Sequence, residues 1–145
     1  MNAIPVLVNG AQGRMGQEAV KAITAESGLE LVAQTDLGDD LPAMLRNSGA
    51  QVAVDFTTAT VAYNNARTLI ECGVRPVIGT SGLLPEQVAE LQALCQAKQI
   101  GGVIAPNFAI GAVLMMKYAA DAVKYRPHVE VIELHHDRKA DAPSG

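Results

Sequence analysis

The chain has 145 residues, the length of one ordinary domain. Hydrophobic residues make up 49% and charged residues 18%, so it can bury a core and is too apolar to be disordered. Eleven Lys and Arg against 15 Asp and Glu give a net charge of −4, which excludes broad capture of nucleic acid, and 3% aromatics without Trp leave little for base stacking.

In chain order, Met1-Asn2-Ala3 lacks the basic start and apolar stretch of a signal peptide. Ile4-Pro5-Val6-Leu7-Val8 reads as a strand ending at Asn9-Gly10, with Pro5 within its first two residues because proline cannot donate to a ladder. A helix follows from about Gly13 to Ala25, with Met15, Ala19, Val20 and Ile23 predicted to face inward. Leu29 to Thr35 is a second strand leading to Asp36, and Val52 to Phe56 is a third. A helix from about Ala59 to Glu71 precedes a fourth strand, Pro76 to Ile78. Pro85 opens the next helix, where its missing N–H costs nothing, although Leu84 before it is a poor cap. Gly102 to Ala105 is a fifth strand, Gly111 to Val123 a packed helix, and Val129 to Leu134 a sixth strand. The longest apolar run, Phe108 to Met116, is too short to span a bilayer. Cys72 and Cys95 show no CxxC spacing and are expected to be two buried free thiols. Apolar strands alternating with helices predict an α/β fold, a doubly wound parallel sheet of Rossmann type whose ligands sit at the carboxyl ends of its strands.

The unusual residues fall at those ends. Gly10-Ala11-Gln12-Gly13-Arg14-Met15-Gly16 follows a strand and opens a helix, where glycines admit a pyrophosphate and the helix terminus offers free N–H groups. Its G-x-x-G-x-x-G spacing departs from the commoner G-x-G-x-x-G, and a purely structural turn is the alternative. Asp36, 20 residues after Gly16, stands where a ribose-binding acid belongs; it could instead be a solvated residue of the acidic stretch 36–40. Its carboxylate would repel a 2′-phosphate, Leu37 beside it offers no compensation, and Arg14 is the nearby cation. Asp55-Phe56-Thr57-Thr58, Gly79-Thr80-Ser81-Gly82 and Ala105-Pro106-Asn107-Phe108 end the next three strands. Each alone reads as turn or cap chemistry; together they would line the path of an extended dinucleotide.

The segment Glu133-Leu134-His135-His136-Asp137-Arg138-Lys139-Ala140-Asp141-Ala142-Pro143-Ser144-Gly145 packs two imidazoles, a lysine and a Pro-Ser-Gly turn together. A metal site through Glu133, His135 and Asp137 is one reading and a solvated tail another. The favoured reading is an acid–base and anion site, with His titrating near neutral pH and Lys139 adding fixed charge. Backbone N–H groups around Ser144 and Gly145, if they begin a helix, would suit a carboxylate. No metal is expected.

G-A-Q-G-R-M-G, D-F-T, G-T-S-G, P-N-F and E-L-H-H-D-R-K-A-D-A-P-S-G together resemble the 4-hydroxy-tetrahydrodipicolinate reductase (dihydrodipicolinate reductase) family, in the family's order from one end of the chain to the other. The resemblance implies a cytoplasmic or plastid-stromal enzyme of the diaminopimelate route to lysine. It would use NADH or NADPH to reduce a cyclic dicarboxylate, as a homotetramer with no nucleic-acid or membrane partner. Carried over by motif, His135 and Lys139 would be catalytic, and His136, Ser144 and Gly145 would hold substrate. Gly10, Ala11, Gln12, Gly13, Arg14, Met15, Asp36, Gly79, Thr80, Ser81, Ala105, Pro106, Asn107 and Phe108 would hold the cofactor. Family members often carry Arg where Leu37 stands, and a second Thr where Ser81 stands. Residues 1–127 would form the dinucleotide domain, and 128–145 the first strand and catalytic loop of an α+β substrate and tetramerisation domain. Because the family's pattern continues past D-A-P-S-G, the chain is expected to be an N-terminal portion, inactive by itself. Two other functions compete. A short-chain dehydrogenase fails for want of a Tyr-x-x-x-Lys pair, since Tyr63, Tyr118 and Tyr125 are followed four residues on by Arg67, Ala122 and Val129. A non-catalytic nucleotide-sensing or CoA-binding module leaves the His135, His136 and Lys139 cluster without a purpose.

Overall fold

The computed structural model describes residues 3–105, 107–130 and 132. The chain divides into two compact units, Met1–Ala105 and Pro106–Gly145.

The first unit alternates strand and helix: β1 Ile4–Asn9, α1 Arg14–Ala25, β2 Leu29–Thr35, α2 Leu41–Ser48, β3 Val52–Asp55, α3 Ala59–Glu71, β4 Arg75–Ile78, α4 Pro85–Lys98 and β5 Val103–Ile104. All four strand pairings are parallel, in the order β2-β1-β3-β4-β5. This is the α/β, Rossmann-like sheet expected from the alternation. Strand side chains alternate between its faces. Val6 and Val8 join Ile23 of α1 in one cluster with Val52 and Val54 packed against it. Leu7 and Ala53 point the other way, into a larger cluster with Leu45, Leu69, Ile70 and Leu91 from α2, α3 and α4. Pro5 is the second residue of β1, as its missing N–H requires.

Three expectations need correction. Helix α2 is absent from the sequence reading; it is capped by Asp40, whose Oδ1 accepts from the Ala43 N–H at 2.9 Å, and it ends at Gly49 in the left-handed region at φ +69. Met15 does not face inward with Ala19, Val20 and Ile23 but is 49% exposed. Cys72, just past α3, is exposed and Cys95 half-buried, both as free thiols. Helix α4 does begin at Pro85, and the deficit of Leu84 as a cap is met by the Gln87 side chain, which accepts from the Leu84 N–H at 3.0 Å.

In the second unit, α5 spans Ile110–Ala122, but it is not the packed helix expected: none of its residues is buried, and Met115 and Met116 are exposed. The Asn107 side chain accepts from the Ala109 N–H at 2.8 Å just before it. Of the expected sixth strand, the described residues Val129, Glu130 and Ile132 have no regular structure, and the rest lies outside the described residues.

Candidate functional site

Parallel strands place all their carboxyl ends on one edge, and the strand order reverses between β1 and β3. At such a switch point the connections leave to opposite sides and open a crevice above the sheet. The residues that follow β1, β2 and β3 meet there.

The three glycines after β1 serve different needs. Gly10 has φ +79, and a Cβ on it would lie 2.6 Å from the Phe56 carbonyl oxygen. A Cβ on Gly16 would lie 2.0 Å from the Gly10 carbonyl oxygen, so the first turn of α1 sits directly on the loop. The fold itself therefore demands both. Gly13 has φ −69, open to any residue, and a Cβ there would meet only the Gly10 oxygen at 3.3 Å and the Phe56 oxygen at 4.0 Å. It is exposed, and its bareness leaves the backbone open to close approach from solvent. The N–H groups of the first turn of α1 have no preceding helical carbonyl to meet, and no acid stands among them. A pyrophosphate fits such a cradle.

Asp36 lies against the same turn. Its Oδ2 accepts from the Gln12 N–H and its Oδ1 from the Leu37 N–H, both at 2.8 Å. Those amides, Leu37 first and Gln12 second, hold its carboxyl below the ordinary value of 3.8 against a slight opposing effect of burial. Each oxygen keeps a second lone pair for a ribose hydroxyl. The structure thus joins two features 24 residues apart in sequence by a direct hydrogen bond. Leu37 is 99% exposed and packs against nothing that would resist replacement. Arg14, also exposed, stands at the start of α1.

The strand ends further along behave differently. Asp55 is fully buried and Thr80 nearly so, and the Thr80 hydroxyl donates to Asp55 Oδ1 at 3.0 Å. These two polar side chains face inward, leaving backbone and Ser81 as what the Gly79–Gly82 turn offers outward. Asn9, Thr35 and Asn65 join the same buried network, and the sequence reading assigned them no role. A signal existed for two of them: Asn9 and Thr35 are polar residues closing apolar strands at adjacent positions. Asn65 carries none. Ala105 follows β5, its N–H donating to the Ile78 carbonyl at 2.8 Å. Asn107 and Phe108 belong to the second unit. Pro106, His135, His136, Lys139, Ser144 and Gly145 lie outside the described residues. Among the described residues no group of three or more His, Cys, Asp or Glu could hold a metal ion.

Comparison with known proteins matches residues 4–108 to the family described as "Dihydrodipicolinate reductase, N-terminus" and residues 111–145 to "Dihydrodipicolinate reductase, C-terminus". The chain is 51% identical over 143 residues to the 4-hydroxy-tetrahydrodipicolinate reductase of Coxiella burnetii (strain Dugway 5J108-111), covering 99% of this chain and 60% of that protein. It is 48% identical over 160 residues to the enzyme of the same name from Listeria monocytogenes serotype 4b (strain CLIP80459), covering 97% and 61%. Among solved structures it is similar to the dipicolinate-bound dihydrodipicolinate reductase of Paenisporosarcina sp. TG-14, with a TM-score of 0.83, 37% identity, and 99% and 62% coverage. The chain thus spans about 60% of the length of the curated relatives it matches.

Proposed function

This chain belongs to the dihydrodipicolinate reductase family, and from that premise we propose that it carries the nicotinamide-dinucleotide site of an enzyme that reduces 4-hydroxy-tetrahydrodipicolinate. The observation that supports this most is the Asp36 carboxylate bonded to the Gln12 amide of the glycine turn at the β1/β3 switch point. That bond gathers a pyrophosphate cradle and a ribose acceptor at one crevice. Gly10 to Met15 bind the pyrophosphate through backbone N–H groups, and Asp36 accepts from the adenosine ribose. The Gly79–Ser81 turn borders the nicotinamide half, and the family motif assigns residues 105–108 to the cofactor as well. The bound nicotinamide supplies a hydride. Asp36 beside the neutral Leu37 favours NADH over NADPH, Arg14 being the one counterweight on the turn.

The remaining roles follow the family motif. Reduction of an imine-like carbon raises electron density on the adjacent nitrogen, which then takes a proton from Lys139, with His135 as acid–base partner. His136 and the Ser144 and Gly145 N–H groups hold a substrate carboxylate. Residues 128–145 open the substrate domain, and the whole enzyme is a cytoplasmic or plastid-stromal homotetramer of the diaminopimelate route to lysine. Calorimetric titration of the chain with NADH and NADPH tests the cofactor site: binding with NADH preferred is expected, and absence of binding to either sinks it. General acid catalysis is worth about 10²–10⁴-fold. In an active full-length enzyme, Lys139→Ala and His135→Ala should lower turnover by that factor with NADH affinity unchanged, and near-normal turnover would reject their assignment.

A further inference from the structure

At the end of β3 an acid is sealed inside the protein among neutral donors. Asp55 is 0% exposed. Its Oδ2 accepts from Asn9 Nδ2 at 2.8 Å and Asn65 Nδ2 at 3.0 Å. Its Oδ1 accepts from the Thr57 N–H at 3.1 Å, the Thr57 hydroxyl at 2.7 Å and the Thr80 hydroxyl at 3.0 Å. The network fixes its own polarity. The Thr35 hydroxyl donates to Asn9 Oδ1 at 2.8 Å, which turns the Asn9 amide nitrogen toward Asp55. Asn65 Nδ2 also donates to the Thr57 hydroxyl oxygen at 3.1 Å, leaving that hydroxyl's hydrogen for Asp55.

Burying a carboxylate is costly, and apolar residues of similar volume would close the end of a sheet at lower cost. What this arrangement adds is position. Asn9 immediately precedes Gly10, and Thr80 lies inside the Gly79–Gly82 turn. The Phe56 N–H donates to the Asn9 carbonyl and the Gly79 N–H to the Asp55 carbonyl, both at 2.9 Å. Gly10 lies close enough to the Phe56 carbonyl that a Cβ on it would come within 2.6 Å of that oxygen, so the residue after Asp55 abuts the glycine turn. The geometry points to Asp55 as a positioning residue. Its carboxylate holds the loops after β1 and β4 in the register that receives a nicotinamide dinucleotide. This role rests on the cofactor reading above.

The test uses the full chain as wild type, Asp55→Asn, Asn65→Ala and the double variant. NADH Kd and the fluorescence enhancement of bound NADH are measured at 25 °C, beside far-ultraviolet circular dichroism and melting curves. Asp55→Asn keeps the shape but points an NH₂ at groups that themselves donate. Losing one or two backbone hydrogen bonds to the cofactor as the loops shift should make a folded Asp55→Asn bind NADH about 10- to 100-fold more weakly, with altered enhancement. Asn65 lies on α3, outside both turns, and Asn65→Ala should weaken binding about 3- to 10-fold; in the double variant the two effects should not add, as for groups in one network. A purely structural role would lower the melting temperature yet leave the Kd and fluorescence of the folded chain unchanged. Wild-type affinity in folded Asp55→Asn, or in Asn65→Ala should Asp55→Asn not fold, overturns the proposal. Failure of the wild type to bind either NADH or NADPH would remove the cofactor reading and this role with it; binding by the wild type and equal binding by the variants would remove this role alone.

Discussion

Asp36 follows β2 and Asp55 ends β3, the two strands that flank β1, yet the two acids face opposite ways. Asp36 stands at the rim, and its partners are two backbone amides, one from its own loop and one from the glycine turn. Asp55 is enclosed, and its donors come from β1, α3, the turn after β4 and the residue two places along its own loop. One edge of a sheet thus carries two kinds of polar residue. The outward kind keeps lone pairs open toward solvent, while the inward kind uses them on donors within the protein. The glycines divide the same way, with Gly16 required by packing and Gly13 left bare toward solvent.

Substituting those two glycines is the largest break available in this comparison. Gly13→Val places a side chain in the approach that the proposed cofactor reading gives to a pyrophosphate. Losing two charge-assisted hydrogen bonds at about 1.5–3 kcal/mol each corresponds to about 100-fold or more in Kd. Calorimetry should show that loss with a melting temperature close to wild type. Gly16→Ala forces a Cβ to within 2.0 Å of the Gly10 oxygen unless the backbone gives way. Overpacking of this kind costs about 1–3 kcal/mol and lowers the melting temperature by roughly 3–10 °C. If Gly13→Val destabilised the chain as much as Gly16→Ala and still bound NADH, the division between ligand-facing and packing glycines would collapse.

Most of the sheet was legible because a parallel strand covered on both faces is a nearly continuous apolar run, and five such runs stand between helical patterns. Helix α2 was not, since its only buried side chains are Leu41 and Leu45, too few to establish a period; its Asp40 cap and Gly49 stop were the readable marks. Met15 keeps the helical spacing of Ala19 and Ile23, but in the first turn of α1 it is 49% exposed, which the spacing alone does not reveal. In the site, glycine spacing and Asp36 were legible because local chemistry singles them out. The inward turn of Asp55 and Thr80 was not, because a strand-end acid or hydroxyl reads the same whether it faces solvent or the core. Asn65 reaches the network from a helix ten residues away, a contact only the tertiary fold creates.

Cofactor choice sharpens the outward side of the comparison. Leu37, at 99% exposure, contributes nothing to packing, so Leu37→Arg should leave the melting temperature unchanged. A guanidinium there can take a 2′-phosphate bidentately. The NADPH-to-NADH affinity ratio should rise about tenfold, or 1.4 kcal/mol. Asp36→Ala should move the ratio the same way, chiefly by weakening NADH. A wild type already preferring NADPH tenfold would show that another cation outweighs Asp36.

The smallest effect is a titration. The Leu37 and Gln12 amides stabilise the charged form of Asp36, so its folded pKa lies below the ordinary 3.8. For a depressed acid, the contribution to folding is fully present above the unfolded pKa and is lost as pH falls through the folded one. Asp36 therefore stays charged through the neutral and mildly acidic range, and any change in NADH affinity between pH 8 and about 5 must come from other groups. A carboxyl-carbon NMR titration of the folded chain should place the Asp36 midpoint below 3.8. Gln12→Pro, which leaves no N–H to give, should raise that midpoint, the Leu37 amide remaining as the larger cause. A midpoint at or above the ordinary value in the wild type would mean that the bond joining Asp36 to the glycine turn does not persist in solution.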